Sequence, residues 1–208
     1  MTNITKYLEW RYAVKKFDPE KKLSPEQVDE LAEAMRLTAS SYGLQPYKIM
    51  LVENPEIREK LQEHSWGQKQ ITEASHLFII CNYTEVPDKV VDDYMKITGE
   101  IRHSPADKLK AFGEGIKAKI GRLPSVKDWT AKQSYIVLGN LLTACAAMEI
   151  DACPMEGFVP EKYNEILGLD KLKLNATLAI PVGYRSADDR YAEMPKIRKP
   201  MDDFLIKI

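Results

Sequence analysis

Three short runs of apolar residues in this chain predict buried β-strands. They cover residues 47–52, 76–81 and 176–182. The second and third runs are almost continuously apolar, which is typical of strands that are covered on both faces of a sheet. Proline has no backbone N–H group to donate to a neighbouring strand, so Pro181 predicts a bulge or an exposed edge in the third run.

Apolar positions at helical spacing predict most of the remaining structure. Residues 24–27 form a capping-box sequence, and residues 54–56 form a second helix start with Asn before Pro. Charged and apolar residues alternate over about 88–122, which predicts an exposed helical excursion. We therefore expect one domain over residues 1–208, of the α+β class, arranged as a three-layer α/β/α structure with the sheet flanked by helices.

The longest predicted helix covers residues 127–149. Its second half, from Ile136 to Met148, is apolar on nearly every side. A helix of this kind is buried in the middle of a structure or packs against another subunit.

Charge and cysteine content narrow the partners and the compartment. The chain has 30 basic and 31 acidic residues, a net charge of −1. This balance gives no general attraction to nucleic acid or to a membrane surface, so we expect neither as a partner. Three cysteines are an odd number for a disulfide framework, and with no apolar stretch suited to span a bilayer they favour a cytoplasmic protein.

The common catalytic signatures are missing from the sequence. It contains no glycine-rich phosphate loop, no Cys-x-x-Cys pair, no His-x-x-x-His pair and no nucleophile elbow. Hydrolytic and metal-dependent mechanisms are therefore disfavoured, and no metal site is expected.

Basic residues near the two ends of the chain are candidates for phosphate binding. Arg11 and Lys15 lie four residues apart, and Lys196 and Arg198 lie two apart. Arginine supplies a forked donor and lysine a point charge, the combination that suits a phosphate monoester. The alternative is that all four are ordinary solvated surface charges.

Two loops are candidates for contacts with a ligand. Residues 153–158 form a turn in which Gly157 permits close approach and free backbone N–H groups. Residues 39–47 are mainly small or polar and lie between a helix and a strand. Either loop can instead be a simple connection.

Taken together and in order, these features resemble the nitroreductase family. The closest resemblance is to the oxygen-insensitive NAD(P)H nitroreductases, some of which are also described as dihydropteridine reductases. The matching pieces run through essentially the whole chain: residues 11–18, 40–41, 45–46, 73–76, 129–133, 139–140, 154–158, 181–184 and 195–198.

The resemblance implies a fold with a central, mostly antiparallel sheet and an intertwined homodimer that binds FMN at its interface. It implies that Arg11, Lys196 and Arg198 hold the FMN phosphate. Lys15 is implied beside the pyrimidine side of the ring and the ribityl chain. The remaining implied cofactor contacts are Tyr12, Ala13 where a Ser is common, Ser40 and Ser41 from the partner subunit, Pro154, and the backbone N–H groups of Glu156 and Gly157.

Two positions depart from the family pattern. Gly67 stands where related enzymes often have Asn at the pyrimidine edge of the flavin, and Gln70 stands where some have a second Lys. An amide can hydrogen-bond the flavin but cannot neutralise an anionic reduced ring. We expect these departures to tune the redox potential while FMN binding is retained.

The implied activity is a ping-pong transfer of hydride from NADH or NADPH, through N5 of FMN, to nitroaromatics, quinones or similar small planar acceptors. Lys15 and Glu156 are the residues assigned to catalysis, with Lys15 as the main electrostatic tuner. A flavin, dihydropteridine or enone reductase on the same fold is one alternative. A non-enzymatic FMN-binding storage or regulatory protein is another.

Overall fold

A four-stranded, wholly antiparallel sheet lies at the centre of the structure, which is a computed structural model that describes residues 3–208. Its strands are β1 (Tyr47–Val52), β2 (His76–Tyr83), β3 (Asp151–Ala152) and β4 (Leu174–Gly183). They lie in the order β1-β2-β4-β3. The three predicted strands are present, and the short β3 is an addition.

Nine helices surround the sheet within the described residues. They are α1 (Asn3–Trp10), α2 (Pro25–Arg36), α3 (Pro55–Glu63), α4 (Gln70–Glu73), α5 (Asp88–Arg102), α6 (Ala106–Ile120), α7 (Val126–Ala147), α8 (Pro160–Leu167) and α9 (Met201–Phe204). Short 3-10 turns occur at Ser41–Gly43, Leu169–Leu172 and Arg190–Glu193. This is an α+β structure, as the sequence predicts.

The two faces of β2 supply two separate hydrophobic cores. Leu77 and Ile79 face one cluster, in which α3 and α8 contribute the fully buried side chains of Leu61 and Tyr163. Phe78 and the other alternate residues face a second cluster beneath α2 and α7. Successive strand residues point to opposite faces, so a nearly continuous apolar run is needed to fill both cores. The prediction of a sheet covered on both faces is confirmed.

Both predicted helix starts have the expected caps. The Ser24 hydroxyl accepts from the Gln27 backbone N–H at 3.3 Å, and the Gln27 side chain accepts from the Ser24 N–H at 2.9 Å. At the start of α3, the Asn54 side chain accepts from the Ile57 N–H at 3.1 Å. These bonds satisfy N–H groups that have no partner within the helix.

Helix α7 is buried on one face only. Val137 and Leu141 are fully buried against the sheet. On the opposite face Tyr135 and Ile136 are almost half exposed. The apolar circumference predicted from the sequence is therefore only partly covered in the isolated chain, where Tyr135 and Ile136 reach the surface.

Helices α5 and α6 enclose a third, smaller cluster. Val91 and Met95 of α5 pack against Ile116 and Ile120 of α6. The helices separate at His103, which adopts a left-handed conformation with φ 50°.

Within residues 3–208, none of the helices combines the length and the apolar character that crossing a membrane requires.

Pro181 does not produce the predicted bulge. It pairs with Leu77 of β2, while the register shift between β2 and β4 lies at Ile80 and Cys81. The Pro181 carbonyl accepts from the Cys153 N–H at 3.0 Å, on the side of β4 that faces β3. In an antiparallel strand the N–H and C=O of one residue point to the same side, so the missing donor faces the short β3 and the β2 ladder is not interrupted.

Candidate functional site

The loop after α1 (residues 11–18, the N-terminal loop) runs beside the segment that follows β4 (residues 184–198, the C-terminal segment). The Asp18 N–H donates to the Tyr184 carbonyl at 2.8 Å, and the Ser186 N–H donates to the Lys16 carbonyl at 2.9 Å. Phe17 is fully buried and anchors the loop in the core. The two ends of the chain are thus brought together at one edge of the sheet.

Asp189 is the main polar link between these two segments. Its Oδ2 accepts from the backbone N–H groups of Lys15 at 2.8 Å and Lys16 at 3.2 Å, and from the Tyr12 hydroxyl at 3.0 Å. Its Oδ1 accepts from the Tyr191 N–H at 3.2 Å. The residue is 4% exposed. Burial opposes ionisation, but the N–H donors of Lys15, Lys16 and Tyr191 and the Tyr12 hydroxyl lower the pKa of Asp189 overall.

A cleft of about 480 Å³ opens between the N-terminal loop and the C-terminal segment. We call it the basic cleft, because four cationic side chains and no acidic ones are among the described residues that line it. Its lining consists of Arg11, Tyr12, Ala13, Lys15, Tyr191, Met194, Pro195, Lys196, Ile197 and Arg198. The four basic residues selected from the sequence therefore converge.

The cations of the basic cleft repel one another. Burial and the neighbouring Arg198 charge lower the pKa of Arg11. Burial, with the charges of Arg11 and Arg198, lowers the pKa of Lys196, whose ammonium group donates to the Arg11 carbonyl. Like charges held together in a partly desolvated site are stabilised by a bound anion. The donor set of two guanidinium groups and an ammonium group fits a phosphate monoester.

Arg185 supports the cleft from behind. Its guanidinium lies 4.4 Å from the Trp10 ring centroid and 4.6 Å from that of Tyr12. It also pairs with the buried Asp151 at 2.6 Å. Burial lowers the pKa of Arg185 and the bonds with Asp151 raise it, with a net increase. The stacking helps to fix the Tyr12 ring, which lines the cleft.

The turn at residues 153–158 is tied to β4 and to α7. Met155 exchanges backbone hydrogen bonds with Ala179 at 2.9 and 3.0 Å. The Tyr135 hydroxyl of α7 donates to the Glu156 carboxylate at 2.6 Å. This bond, together with burial, raises the pKa of Tyr135 to about 12. Glu156 is exposed, and its carboxylate is directed towards α7 by this bond.

Residues 64–69, between α3 and α4, form a loop that packs against this turn. The Gln68 side chain donates to the Gly157 carbonyl at 3.0 Å, and the Val159 N–H donates to the His64 carbonyl at 2.9 Å. A Cβ on Gly157 would overlap the ring of Trp66 and lie 3.1 Å from Nε2 of Gln68. The absence of a side chain at Gly157 thus makes room for the Trp66 ring in its present position.

The N-terminal loop and the turn 153–158 are neighbours. Ala13 forms a parallel bridge with Ala152 of β3, one residue before the turn begins. Burial raises the pKa of the Cys153 thiol, and the nearby charges of Lys15 and Arg11 oppose this increase. Pro154 follows Cys153 directly and is partly buried. The basic cleft and the turn therefore belong to one region of the molecule.

Gly67 lies on the loop that borders this region, and Gln70 follows the loop directly. Gly67 is exposed, has φ +67° and has open space where a Cβ would stand. Gln70 is buried at the start of α4. Trp66, the residue before Gly67, is 73% exposed and also has a positive φ of 54°. Left-handed geometry is uncommon for a bulky residue, and its cost is borne at functional sites more often than elsewhere.

Ser40 and Ser41 do not line the basic cleft. The Ser40 hydroxyl accepts from the Gln45 N–H at 2.9 Å, and the Ser41 N–H donates to the Gln133 side chain of α7 at 2.8 Å. Both serines are only partly buried. Within one chain they stand at a separate place, beside α7.

Sequence reasoning missed Asp189, Arg185 and Trp66. Asp189 falls in a run of charged and small residues, 185–190, that is indistinguishable from a solvated loop by composition. Arg185 gives no signal either, because its partner Asp151 is 34 residues away. Trp66 carries a signal only through the Gly that follows it.

Comparisons with known proteins agree with this geometry. The family model described as the nitroreductase family matches residues 8–184. A Bacillus subtilis protein provisionally named NAD(P)H nitroreductase YfkO is 39% identical, over 97% of this chain and 96% of its own length.

Solved structures share the fold. The nitroreductase ydfN structure from Bacillus subtilis superposes with a TM-score of 0.91 at 19% identity, over 100% of both chains. A nitroreductase structure from Exiguobacterium sibiricum in complex with FMN gives a TM-score of 0.84 at 19% identity, over 100% of this chain and 98% of that one. With the family match and the 39% identical relative, the chain belongs to the nitroreductase family and is an oxidoreductase.

Proposed function

We propose that this protein is an FMN-dependent oxidoreductase that passes hydride from NADH or NADPH to nitroaromatics, quinones or similar planar acceptors. The observation that carries the proposal is the basic cleft, where Arg11, Lys196 and Arg198 converge without an acidic partner among its lining residues. The similar fold from Exiguobacterium sibiricum binds FMN, and the name of the YfkO relative specifies NAD(P)H. Both agree with this assignment.

The first role of the chain is to hold the phosphate end of FMN. Arg11, Lys196 and Arg198 supply charged donors to the phosphate, and Tyr12 and Ala13 form the wall beside the ribityl chain. The donors are already assembled, so binding does not have to order them and loses less entropy. No Gly-rich loop is needed, because side chains replace the backbone N–H groups that usually bind phosphate.

The second role is to hold and tune the ring. When bound, FMN supplies hydride transfer in two half-reactions at N5, a ping-pong sequence. The backbone N–H groups of Glu156 and Gly157 donate towards the ring, and Pro154 fixes the start of their turn. Lys15 stabilises negative charge on the reduced ring electrostatically. Because Gly67 and Gln70 are uncharged, the pyrimidine edge of the flavin has no second cation beside it. This makes reduction of FMN less favourable.

We also propose that two copies form the working unit. Helix α7 exposes Tyr135 and Ile136, and the C-terminal part of the chain carries Ile197 and Phe204, which are 88% and 74% exposed. Apolar side chains concentrated on one helix and one extended tail are typical of a subunit interface. A partner copy would bring Ser40 and Ser41 to the ring side of the site.

The three cysteines are free and buried, which agrees with a protein that functions in the reducing cytoplasm.

Steady-state kinetics test the proposed activity. Oxidation of NADH and of NADPH is followed at several fixed concentrations of a quinone, and then of a nitroaromatic. The proposal expects sustained turnover and parallel double-reciprocal lines. Oxidation of no more than one equivalent of NAD(P)H per FMN would contradict it and support a storage or regulatory protein. Intersecting lines would contradict the ping-pong order while leaving the activity intact.

A further inference from the structure

We infer that Asp189 is a positioning residue for the phosphate end of the cofactor, an acidic side chain whose hydrogen bonds assemble the cationic basic cleft. The inference rests on the proposed FMN site and goes beyond it. Asp189 does not line the cleft, and residues 185–208 lie outside the matched family region.

The contacts of Asp189 join the two sequence segments that carry the cations. The N–H groups of Lys15 and Lys16 and the Tyr12 hydroxyl converge on its Oδ2, while Oδ1 holds the N–H of Tyr191. The first three donors fix the N-terminal loop. The fourth begins the 3-10 turn Arg190–Glu193, which leads into the cationic residues at 196 and 198.

Burial makes these contacts specific. Asp189 is 4% exposed, whereas the side chain of the adjacent Asp188 is 77% exposed and pairs with Lys16 at 2.8 Å. When one partner of a buried hydrogen-bonded pair is removed, the other partner stays buried without a hydrogen bond, and this costs its desolvation energy. An exposed pair has no such penalty, because water replaces the missing partner. The neighbouring acids thus differ in structural role while carrying the same charge.

The two effects of Asp189 on anion binding have opposite signs. Its negative charge lies near the cations and by itself weakens the binding of a phosphate. Its hydrogen bonds place Arg11, Lys15 and the C-terminal cations in one cleft, and this strengthens binding. Four directed contacts outweigh one through-space repulsion, so removing this acid should weaken the binding of an anion. Electrostatics alone predicts the reverse.

The test measures dissociation constants of the apo-protein for FMN and for riboflavin, which lacks the phosphate, by quenching of flavin fluorescence. For Asp189→Ala we expect FMN to bind at least about tenfold more weakly, with a much smaller change for riboflavin. Asp189→Glu keeps the charge and misplaces the carboxylate, so it should also lose FMN preference. Asp189→Asn keeps one acceptor oxygen in place and should retain most of the preference for FMN over riboflavin.

Asp188→Ala is the matched control, because it removes the same charge without touching a backbone N–H. It should leave FMN binding unchanged or slightly tighter. If Asp189→Ala and Asp188→Ala both bind FMN as tightly as the wild type or tighter, the inference is wrong. If Asp189→Ala does not fold, Asp189→Glu decides the matter by the same FMN-to-riboflavin ratio. A wild-type protein that binds no FMN would instead refute the proposed function.

Discussion

Arg185 wraps the carboxylate of Asp151 with three donors. Its Nη2 lies 2.6 Å from Oδ1, its Nε lies 3.0 Å from both oxygens, and its own backbone N–H donates to Oδ2 at 2.8 Å. Asp151 is in β3 and is 4% exposed. The pair therefore connects the edge of the sheet to the start of the C-terminal segment, and it holds the guanidinium that stacks on Tyr12 of the basic cleft.

Breaking this pair should destabilise the fold. Asp151→Asn leaves the Arg185 guanidinium without its counter-charge, and removal of one partner of a buried pair costs about 3–5 kcal/mol. Because a quarter of the Arg185 side chain is exposed to water, we expect the loss to be nearer 2 kcal/mol. Urea unfolding measures it. Asp170→Asn, at an exposed acid, is the control, and equal stability of the two variants would contradict the account.

The guanidinium of Arg198 should contribute to FMN binding through charge. Arg198→Gln is expected to weaken FMN binding about tenfold and to reduce its dependence on salt concentration, because one ionic contact is lost. Riboflavin binding should not change. Lys199→Gln is the matched control, since Lys199 does not line the cleft. Equal effects of the two substitutions would mean that net charge alone, and not the cleft, attracts the cofactor.

The charge of Lys15 should matter for reduction more than for folding. Replacing Lys15 with Ala removes a cation from the side of the cleft where we propose that the flavin ring binds, and we expect the rate of reduction by NAD(P)H to fall at least about tenfold. Thermal stability should change little, because the contact of Lys15 with Asp189 uses the backbone N–H. Stopped-flow absorbance measures the rate. Lys16→Ala serves as the control, and unchanged hydride-transfer rates in Lys15→Ala would refute the assignment.

Gly157 should not tolerate a side chain without movement of Trp66. In Gly157→Ala the new methyl group overlaps the indole, which must swing away because the backbone of the turn is held by β4. We expect one of the three tryptophan indole N–H signals in a ¹⁵N–¹H spectrum to shift strongly, and NAD(P)H oxidation to slow. Gly115→Ala meets no neighbour and should instead stabilise α6 by about 0.5–1 kcal/mol. An unshifted indole spectrum in Gly157→Ala would refute the packing.

Asp189 should also shape acid stability. Its pKa is lower in the folded protein than the ordinary value of 3.8, so its contribution to stability is present above that pH and is lost as the pH falls through the folded-state pKa. Asp189→Asn should therefore unfold at a lower temperature than the wild type at pH 7, and the difference should narrow below about pH 4. A melting-temperature difference that stays constant from pH 7 to pH 3 would contradict this.

The sequence predicts the sheet well because a single strand, β2, must fill two cores. Residues 77–81 of this strand are all apolar, and neighbours such as Leu77 and Phe78 belong to different cores. The helix caps at Ser24 and Asn54 could be predicted because each residue bonds a partner only three residues away. The predicted bulge at Pro181 is absent because its missing N–H points away from β2. The order of the strands decides this, and the sequence does not specify that order.

Only part of the candidate site could be predicted from the sequence. Arg11 and Lys196 are conspicuous as cations, and the family resemblance places them together. Asp189 is invisible, because a buried acid and a solvated acid such as Asp188 look alike until the fold shows which one accepts backbone N–H groups. In the proposed dimer, Ser40 reaches the flavin ring of the second copy, and no pattern within one chain specifies how two copies pack.

The most direct test of the account is the visible absorbance of the purified protein under anaerobic conditions, first alone and then with NADH and with NADPH. We expect a yellow protein that contains one FMN per chain, loses its colour with at least one nucleotide and regains it when a quinone or nitroaromatic is added. A protein that is colourless and takes up no added FMN would contradict the central claim, because the basic cleft would then not bind the cofactor phosphate.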